Sequence, residues 1–371
     1  MEITYRFLDI TSDSDRSQWL DLYSVCFQQN ITNTFWNYIF LENPFYKKTK
    51  PLIFLAETDG KIVGSFSAIP SPLAQYHKDT ISRYNSLLLC KGMVHPDYRK
   101  NGIFGTLLKN ARATAESEGY DFLLTISDNF ISYQSFIRAG FHDVAAMRWS
   151  RLFLSENTVF SAYINGLHLP LIVKKFLMAS CSYLYAGLVP RNNHQYQIKQ
   201  GDASEFIEKI ENFYASPRKD GDIYGSRSFR FTQWKFVRTD ACFKCFTISE
   251  KEKMLGYALV QLKEMGKNAY IIDISVYPHN KSVITELIGE ITTSLKENNF
   301  NAVWSYMVEN DTILSNFFTF RNGFFIRSSK GGKLKKSRLL VYPLKNTLAQ
   351  PSCLDENTWS IQAVDTCLFL E

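Results

Sequence analysis

The segment from Cys90 to Gly105 constrains the fold more than any other part of the 371-residue chain. An apolar run, Leu87 to Leu89, leads into it and predicts a buried strand. Pro96 ends that strand because its nitrogen cannot donate a hydrogen bond to a sheet. A helical pattern follows, with one apolar face made of Ile103, Leu107, Leu108 and Ala111. The segment therefore predicts a strand, a tight basic loop and a helix.

The loop of this segment has the features of an anion site. Residues Arg99 to Gly102 place consecutive backbone N–H groups at the start of the helix, where unpaired amides and the positive end of the helix dipole favour phosphate. Gly102 and Gly105 let a bulky pyrophosphate approach the backbone. The side chains of Arg99 and Lys100 add two cations. The loop is therefore predicted to bind a phosphate or pyrophosphate group.

The loop sequence resembles the acetyl-CoA signature of the GNAT N-acetyltransferase superfamily, in which Arg or Gln is followed by two residues, Gly, one residue, and Gly or Ala. The segment here is Val94-x-Pro96-x-Tyr98-Arg99-x-x-Gly102-Ile103-Phe104. It departs from the signature at Phe104, with Gly105 one residue later. This departure leaves the geometry of the loop open.

A second motif of the same family stands at the expected place downstream. Phe122 to Ile126 predicts a buried strand, and it leads into the segment from Asn129 to Phe141. That segment resembles the family's sequence of Asn, a small residue, an aromatic residue and then Gly-Phe. Two motifs in order, separated by one helix, make chance agreement improbable. The resemblance implies an α/β fold (α+β mixed sheet) of the GNAT type.

The second half of the chain repeats the first, which predicts two tandem GNAT-like domains. The matching pairs are Trp36 with Trp234, Gly64 with Gly256, Val94-x-Pro96 with Val276-x-Pro278, and Gly140-Phe141 with Gly323-Phe324. We expect an acyl-CoA-binding catalytic domain over residues 1–154, a helical linker over 155–198, and a second domain over 199–371. After Pro278 the repeat has neither glycine nor arginine at the loop. The second copy is therefore expected to keep the fold, lose the cofactor site and shape the acceptor site.

The amino-acid composition limits the classes of ligand that the protein is expected to bind. A net charge of +6 and a pI near 8.8 fit an anionic ligand such as CoA but are too modest to indicate nucleic acid. Seven cysteines without framework spacing favour reduced thiols, and Cys242-x-x-Cys245 is interpreted as structural rather than metal-binding. The N-terminus lacks a signal segment. We expect a cytoplasmic protein without a metal; the oligomeric state stays open.

Two further segments admit alternatives. Leu167 to Val189 is long and apolar, but Lys174 and Lys175 near its centre argue against a transmembrane span. It is interpreted as a linker helix packed between the domains, with an amphipathic helix that touches a membrane surface as the alternative. The basic run from Lys330 to Arg338 is interpreted as a solvated hairpin tip rather than a phosphate-binding segment.

The family resemblance implies roles for individual residues. The Val94 backbone would pair with the pantetheine arm and polarise the thioester, and Asn129 would hydrogen-bond the pantetheine. The family places a tyrosine acid at the position of Phe136, which here counts only as a residue of the acyl-CoA site. Tyr133, three residues earlier on the same helix, is then the candidate acid, with a packed core tyrosine as the alternative. The pyrophosphate would bind the amides of Arg99, Lys100, Asn101, Gly102, Ile103 and Phe104.

The general base is not identified by the sequence. The strand from Asn85 to Met93 contains no carboxylate. Deprotonation of the amine would then use water, Asp273 of the second copy, Glu371 at the C-terminus, or no base at all. His95 and Cys90, although close to the loop, are interpreted as structural residues.

These observations predict an N-acyltransferase that moves an acetyl or related acyl group from acetyl-CoA to a primary amine of a small molecule. The tandem layout resembles bacterial GNAT proteins for which an amino sugar or its nucleotide is a plausible acceptor. A peptidoglycan-type aminoacyl transferase is one alternative, which the intact acyl-CoA loop disfavours. A non-catalytic acyl-CoA-binding regulatory protein is the other, and Phe136 in place of tyrosine supports it.

Overall fold

The computed structural model describes residues 2–46, 51–77, 80–154, 164, 167–215, 221–238, 241–277, 280–309, 313–326, 333–345, 354–355 and 358–366. Within these residues the chain forms a mixed α/β structure, as the sequence predicts. Two sequence predictions lie outside the described residues. They concern Glu371 as a base and the tip of the basic hairpin, residues 327–332.

The first half of the chain follows the sequence prediction closely. A helix extends from Asp13 to Phe27, and Asp59 and Gly60 adopt the positive φ values, 51° and 72°, of an Asp-Gly hairpin turn. The elements are β1 (Thr4–Phe7), α1 (Asp13–Phe27), α2 (Asn33–Phe40), β2 (Leu52–Thr58), β3 (Lys61–Pro70), β4 (Leu73–His77), β5 (Thr80–Tyr84), β6 (Ser86–Val94), α3 (Ile103–Ser117), β7 (Phe122–Asn129), α4 (Phe130–Arg138) and β8 (His142–Phe153).

After one additional helix, the second half repeats this order of elements, except that it has an added strand, Ile223–Gly225, and no counterpart of the β4–β5 hairpin. Its elements are α5 (Leu171–Ala186), β9 (Gln197–Asp202), α6 (Ile207–Tyr214), β10 (Ile223–Gly225), α7 (Phe229–Phe236), β11 (Cys242–Glu250), β12 (Lys253–Lys263), β13 (Asn268–Val276), α8 (Lys281–Glu297), β14 (Ala302–Glu309), α9 (Ile313–Phe317), β15 (Phe325–Ile326), β16 (Lys333–Pro343) and β17 (Trp359–Ser360). Cys242 and Cys245 lie on β11, one exposed and one buried.

The repeated residues occupy equivalent positions in the two copies. Gly64 pairs with Val94 between β3 and β6, and Gly256 pairs with Val276 between β12 and β13. Gly140 and Gly323, at the two Gly-Phe sites, both have a positive φ, 88° and 80°. The tandem GNAT-like fold predicted from the repeat is therefore confirmed.

One continuous sheet joins the two copies. In the described residues thirteen strands belong to it, in the order β1-β2-β3-β6-β7-β16-β8-β14-β13-β12-β11-β9, with β15 paired to β8. A separate small sheet has the order β17-β10-β4-β5. It joins the β4–β5 hairpin of the first copy to strands from the second half.

The copies exchange their last strands. Strand β16, from the second half, lies between β7 and β8 of the first copy, with Arg338 opposite Ser127. Strand β8, from the first half, pairs in turn with β14 of the second copy. Domain limits at 154 and 199 stay a prediction, since the strands that complete the sheet cross them.

The buried apolar residues that the structure describes form three separate clusters. Helices α1 and α2 of the first copy and α6 and α7 of the second cover one face of the sheet and share one core. In that core the ring of Tyr38 stacks on Trp234, with centroids 5.3 Å apart. On the other face each copy has a core of its own, beneath α3 and beneath α8. Packed helices therefore cover both faces of the sheet in the first copy, where the cleft described below lies.

Helix α5 differs from the sequence expectation. It was expected to be packed between the domains, but Ile172, Phe176 and Tyr183 are largely exposed. It is attached to the second copy through Tyr185, which is buried. Among the described residues, no helix combines the length and apolar character needed to cross a membrane.

Candidate functional site

The first copy has a cleft where β6 and β7 separate. These parallel strands pair only from Ser86 to Leu88 with Phe122 to Leu124. Beyond this point they diverge, so the strand ends at Val94 and Asn129 form the two sides of the cleft. Thr125 bridges its inner end, where its hydroxyl donates to the carbonyl of Leu89 at 3.0 Å.

The predicted anion loop lies at the open end of β6. Residues Pro96 to Tyr98 form a short 3₁₀ turn, and Lys100 and Gly102 have positive φ values of 70° and 74°. Gly102 is the N-cap of α3 and has no side chain to satisfy the first helical amides. Within the described part of the chain, no protein acceptor is found for the backbone amides from Lys100 to Gly105.

These amides stand at the positive end of a 15-residue helix, next to two exposed cations, Arg99 and Lys100. The combination suits a pyrophosphate, because several N–H donors, the helix dipole and fixed charges act on one anion. The predicted binding residues Arg99, Lys100, Asn101, Gly102, Ile103 and Phe104 are thus contiguous around the start of α3.

Close packing holds this helix start against the sheet. Ile103 is buried over Gly64, where an added Cβ would lie only 2.6 Å from the Ile103 side chain. A Cβ at Gly92 would similarly lie 2.9 Å from the Phe104 ring. The absence of a side chain at both strand positions therefore lets Ile103 and Phe104 pack closely on the sheet. The repeat identified Gly64 from the sequence, but only the structure gives its reason.

Phe104 and Phe136 belong to an aromatic cluster at the side of the cleft nearest α3. Their ring centroids are 5.6 Å apart, and Phe66 lies 5.3 Å from Phe104. Phe136 is buried and has no polar group, so it cannot supply a proton. The ring of Phe104, where the sequence departs from the signature, thus packs against Phe136.

Tyr133 is half-buried and makes a polar contact away from this cluster. Its hydroxyl donates to Asp143 Oδ2 at 2.9 Å, and Arg338 Nε donates to both oxygens of Asp143 at 2.8 and 2.9 Å. Burial raises the pKa of Tyr133, and the hydrogen bond and negative charge of Asp143 raise it further. The phenol therefore keeps its proton beyond the usual range of tyrosine.

The other predicted residues lie around the cleft. The Asn129 side chain caps α4, where its Oδ1 accepts from the N–H of Ile131 at 2.8 Å. Its amide NH₂ group is the part that could bind a ligand. The carbonyl of Val94 accepts from Arg99 Nε at 3.2 Å and is 3.5 Å from the thiol of Cys26 on α1. Burial raises the pKa of Cys26, opposed by the charge of Arg99.

His95 has structural partners. Its N–H donates to the carbonyl of Val63 at 2.9 Å, and its ring Nδ1 accepts from the N–H of Asp97 at 3.3 Å. The imidazole therefore shapes the 3₁₀ turn of the loop. Cys90 is buried.

A carboxylate that the sequence motifs do not identify lies at the end of β7. Leu124 belongs to the core beneath α1, and Ile126 packs against it. Because alternate residues of a strand share one face, Asp128 lies on the same face as Leu124 and Ile126, and it is exposed. In the described residues its side chain has no ion pair or hydrogen bond. The residue stands on the face of the cleft opposite α3, and the alternation of an apolar strand ending in Asp was the signal available in the sequence.

The equivalent cleft of the second copy is closed. Strands β13 and β14 pair from Asn268 to Ile271 and then diverge like β6 and β7. Gln362 occupies this gap: its Oε1 accepts from the N–H of Ile274 at 2.8 Å, and its Nε2 donates to the carbonyl of Ile274 at 2.7 Å. On the other side, the N–H of Val308 donates to Ile361 at 2.9 Å. The segment 359–366, called the plug below, thus bridges both strands.

A buried ionic network fixes the plug. Arg227 donates to Asp273 at 2.8 and 3.0 Å and to Asp365, within the plug, at 2.6 and 3.1 Å. Burial opposes the charge of Arg227, but the two carboxylates outweigh it and the pKa of Arg227 is raised. Asp273 also accepts from the hydroxyl of Tyr257 and is fully buried. The hypothesis that Asp273 is a general base for the first cleft is therefore wrong, because no substrate reaches it.

The start of α8 is also unlike that of α3. Asn280 is its N-cap, and the side-chain oxygen accepts from the N–H of Ser282 at 2.8 Å. One of the amides that would face an anion is therefore satisfied within the chain. Together with the plug, this side-chain cap leaves the second copy without the uncapped helix start on which the predicted anion site of the first copy depends.

Comparisons with known proteins agree with the fold. Residues 8–141 match the sequence model of the acetyltransferase (GNAT) domain. No curated protein matches the sequence significantly.

Solved structures similar to this one cover 93% of the chain. A probable N-acyltransferase from Enterococcus faecalis V583 has a TM-score of 0.62 at 11% identity, and 73% of its own chain is covered. A GCN5-related N-acetyltransferase from Anabaena variabilis has a TM-score of 0.59 at 12% identity, with 73% covered. A tandem GNAT protein of the clavulanic acid biosynthesis pathway has a TM-score of 0.59 at 14% identity, with 99% covered. At these identities the likeness shows the fold.

Proposed function

We propose that the first cleft transfers an acetyl or related acyl group from CoA to a primary amine of a small molecule, since residues 8–141 match the sequence model of the acetyltransferase (GNAT) domain. The observation that carries the proposal is the uncapped helix start at Gly102, whose amides and adjacent cations suit the pyrophosphate of CoA. The α3 side of the cleft would hold the donor, and the opposite side the acceptor.

The donor would bind through the residues already placed around the helix start. The amides from Lys100 to Gly105 bind the pyrophosphate, Arg99 and Lys100 balance its charge, and the edge of β6 near Val94 pairs with the pantetheine. Hydrogen bonds from this edge polarise the thioester carbonyl as charge develops on its oxygen. The rings of Phe104 and Phe136 exclude water from the α3 side of the reacting carbon.

The acceptor amine must lose a proton before or during attack. We assign this step to Asp128, an exposed carboxylate at the open end of β7 on the face opposite the donor. The amine nitrogen attacks the thioester carbon, the carbon–sulfur bond breaks, and the ammonium proton passes to Asp128. The thiolate of CoA takes a proton, for which Tyr133 is the proposed source because its raised pKa keeps the phenol protonated.

The chemistry of the acceptor face fits a polar amine with an anionic part. Lys91, at a bulge in β6 with a φ of 50°, places its ammonium 3.4 Å from the hydroxyl of Tyr23 on the α1 side. Asp128 would attract the amine and Lys91 an anionic group of the same molecule. An amino sugar or its nucleotide has both groups, so it remains the proposed acceptor class; the cytoplasmic location also stays a prediction.

The test combines donor binding with turnover. Calorimetry should show acetyl-CoA binding to the purified chain, and a thiol-release assay with amino sugars, their nucleotides, polyamines and aminoglycosides should show CoA release with one class. Asp128→Asn should lower kcat by about a hundredfold or more while the donor Kd stays unchanged. Asp21→Asn, an exposed carboxylate on α1, is the matched control and should retain full activity. Absence of acetyl-CoA binding would refute the assignment of the loop.

A second candidate function rests on Phe136, which removes the usual acid from α4. In that case the protein would bind acyl-CoA as a regulatory ligand without turnover. Tight acetyl-CoA binding without thiol release for any amine, and an unchanged donor Kd in Tyr133→Phe, would favour it over the enzyme.

A further inference from the structure

The largest concentration of exposed apolar side chains lies on α5 and the residues just before it. Ile172 and Tyr183 are each 82% exposed and Phe176 is 72% exposed. Further exposed members are Leu167, Leu169, Leu171, Val173 and Leu184. Apolar surface of this extent on one short element is unusual for a surface that stays in water, and it marks a contact site.

The exposed residues form a continuous line because of their helical spacing. Ile172, Phe176, Ala179 and Tyr183 follow one another at intervals of four, three and four residues and so share one face. We call this face the α5 ridge. Tyr185, on the other side of the helix, fixes the orientation: its hydroxyl accepts from the N–H of Phe153 at 2.9 Å and donates to the carbonyl of Gly323 at 3.0 Å. The ridge therefore projects away from the protein.

The surroundings of the ridge carry positive charge. From residue 157 to residue 201 the sequence has no Asp or Glu, whereas it has Lys174, Lys175, Arg191 and Lys199. Lys175 is exposed beside the ridge. A soluble protein partner or a buried helix would not require such one-sided charge, but an anionic surface would attract it.

Two clefts follow the C-terminal end of α5, and Arg191 lines both. One, of about 280 Å³, also contains Lys296 and the carboxylate of Glu290, which accepts from Asn192 at 2.7 Å. The other, of about 370 Å³, also contains Arg321 and has no acidic lining residue. Small basic clefts beside an apolar ridge suit phosphate headgroups that lie level with buried acyl chains.

We propose that the α5 ridge docks on an anionic phospholipid surface. Ile172, Phe176 and Tyr183 enter the boundary between headgroups and acyl chains, and Lys175, Arg191 and Arg321 contact phosphates. The helix lies in the plane of the surface, since its 16 residues do not cross a bilayer. A second copy of the chain is the poorer occupant, because ridge-to-ridge packing would bring together two segments, residues 157–201 of each copy, that contain cations and no Asp or Glu.

Vesicle flotation of the full chain tests this inference independently of acyl transfer. The chain should float with vesicles of phosphatidylcholine and phosphatidylglycerol and far less with phosphatidylcholine alone, and added salt should weaken the binding. Phe176→Glu and, separately, Ile172→Glu should weaken it by about tenfold or more, because each removes buried apolar area. Lys175→Gln should weaken binding to the anionic vesicles by about fivefold and leave the weak binding to phosphatidylcholine unchanged.

Met265→Glu is the matched control, since Met265 is 95% exposed and lies outside α5, on the turn between β12 and β13. It adds the same charge and should float like the natural chain. The proposal is wrong if anionic vesicles do not bind the chain, if both ridge variants float normally, or if Met265→Glu loses binding equally. A concentration-dependent dimer in the absence of vesicles, abolished by Phe176→Glu, would assign the ridge to a second copy and would also overturn the proposal.

Discussion

The clefts of the two copies begin alike and end differently. In both, the two central parallel strands pair over a short stretch and then separate, β6 from β7 and β13 from β14. In the first copy the gap is followed by a glycine-containing basic loop with unpaired amides, whereas in the second it is filled by the plug. The fold thus supplies the gap, and the residues around it decide whether a ligand can use it.

The plug makes the hydrogen bonds that a bound ligand would make. Gln362 pairs with both the N–H and the carbonyl of Ile274, as a neighbouring strand or an extended amide ligand would. A strand edge left open in a buried site is costly, so a copy without its ligand needs such a replacement. The predicted loss of the cofactor site in the second copy and the structural role of the plug therefore depend on the same residues.

The largest expected effect comes from the network that holds the plug. Arg227→Met leaves Asp273 and Asp365 buried without a cation, and we expect the free energy of unfolding to fall by about 3–5 kcal/mol. Urea denaturation measures the change. Arg112→Gln, which breaks an exposed pair with Glu116, is the control and should cost about 1 kcal/mol or less. A cost for Arg227→Met no larger than that of the control would contradict the role of the network.

Charge reversal at the start of α3 should separate the two copies in binding. Arg99→Glu places a negative charge beside the proposed pyrophosphate site, and the Kd of acetyl-CoA should rise by about a hundredfold. The matched variant is Lys281→Glu, an exposed residue in the first turn of α8, which should leave the Kd unchanged. Calorimetry on both proteins gives the comparison. Equal losses in the two variants would show that the first loop is not the binding site.

Opening the second cleft should weaken the fold without creating a second site. Gln362→Ala removes both partners of Ile274, and we expect a loss of about 2 kcal/mol in the free energy of unfolding. Acetyl-CoA should still bind with a stoichiometry of one per chain, because α8 has no glycine loop. Gln197→Ala, on the exposed strand β9, should change stability by about 0.5 kcal/mol or less. Binding of two molecules of acetyl-CoA per chain would show that the second copy can also hold the donor, and would contradict the proposed difference between the copies.

The smallest effect is expected in the pH dependence of turnover. A tyrosine acid acts while protonated, so activity is lost as pH rises through its pKa. Since Asp143 raises the pKa of Tyr133, Asp143→Asn should move the alkaline limb of the kcat profile to lower pH. Glu116→Gln, at an exposed surface pair, should leave the profile in place. An identical profile for Asp143→Asn would exclude Tyr133 as the group that limits turnover at high pH.

Much of the first cleft could be predicted because its signals are local. The strand, loop and helix from Leu87 to Ser117 follow one another along the chain, and Pro96 and Gly102 set the conformations of the turn. The repeat likewise predicted that Gly256 would pair as Gly64 does. The partner of Tyr133 could not be predicted, because Asp143 is held by Arg338, 195 residues away in the sequence. The face of the sheet on which Asp128 lies could be assigned only once the pairing of β7 was known.

The sequence by itself determined the fold class and the tandem repeat and predicted the anion loop, since each depends on residues that are near one another in the chain. Only the tertiary structure decided how the copies combine. The exchange of β8 and β16, the plug at Gln362 and the exposure of the α5 ridge all depend on contacts between distant segments. Hydrophobic periodicity shows which residues prefer to be buried, but not which distant surface covers them. For this reason the sequence pointed to the first cleft, and the structure showed how the second one is closed.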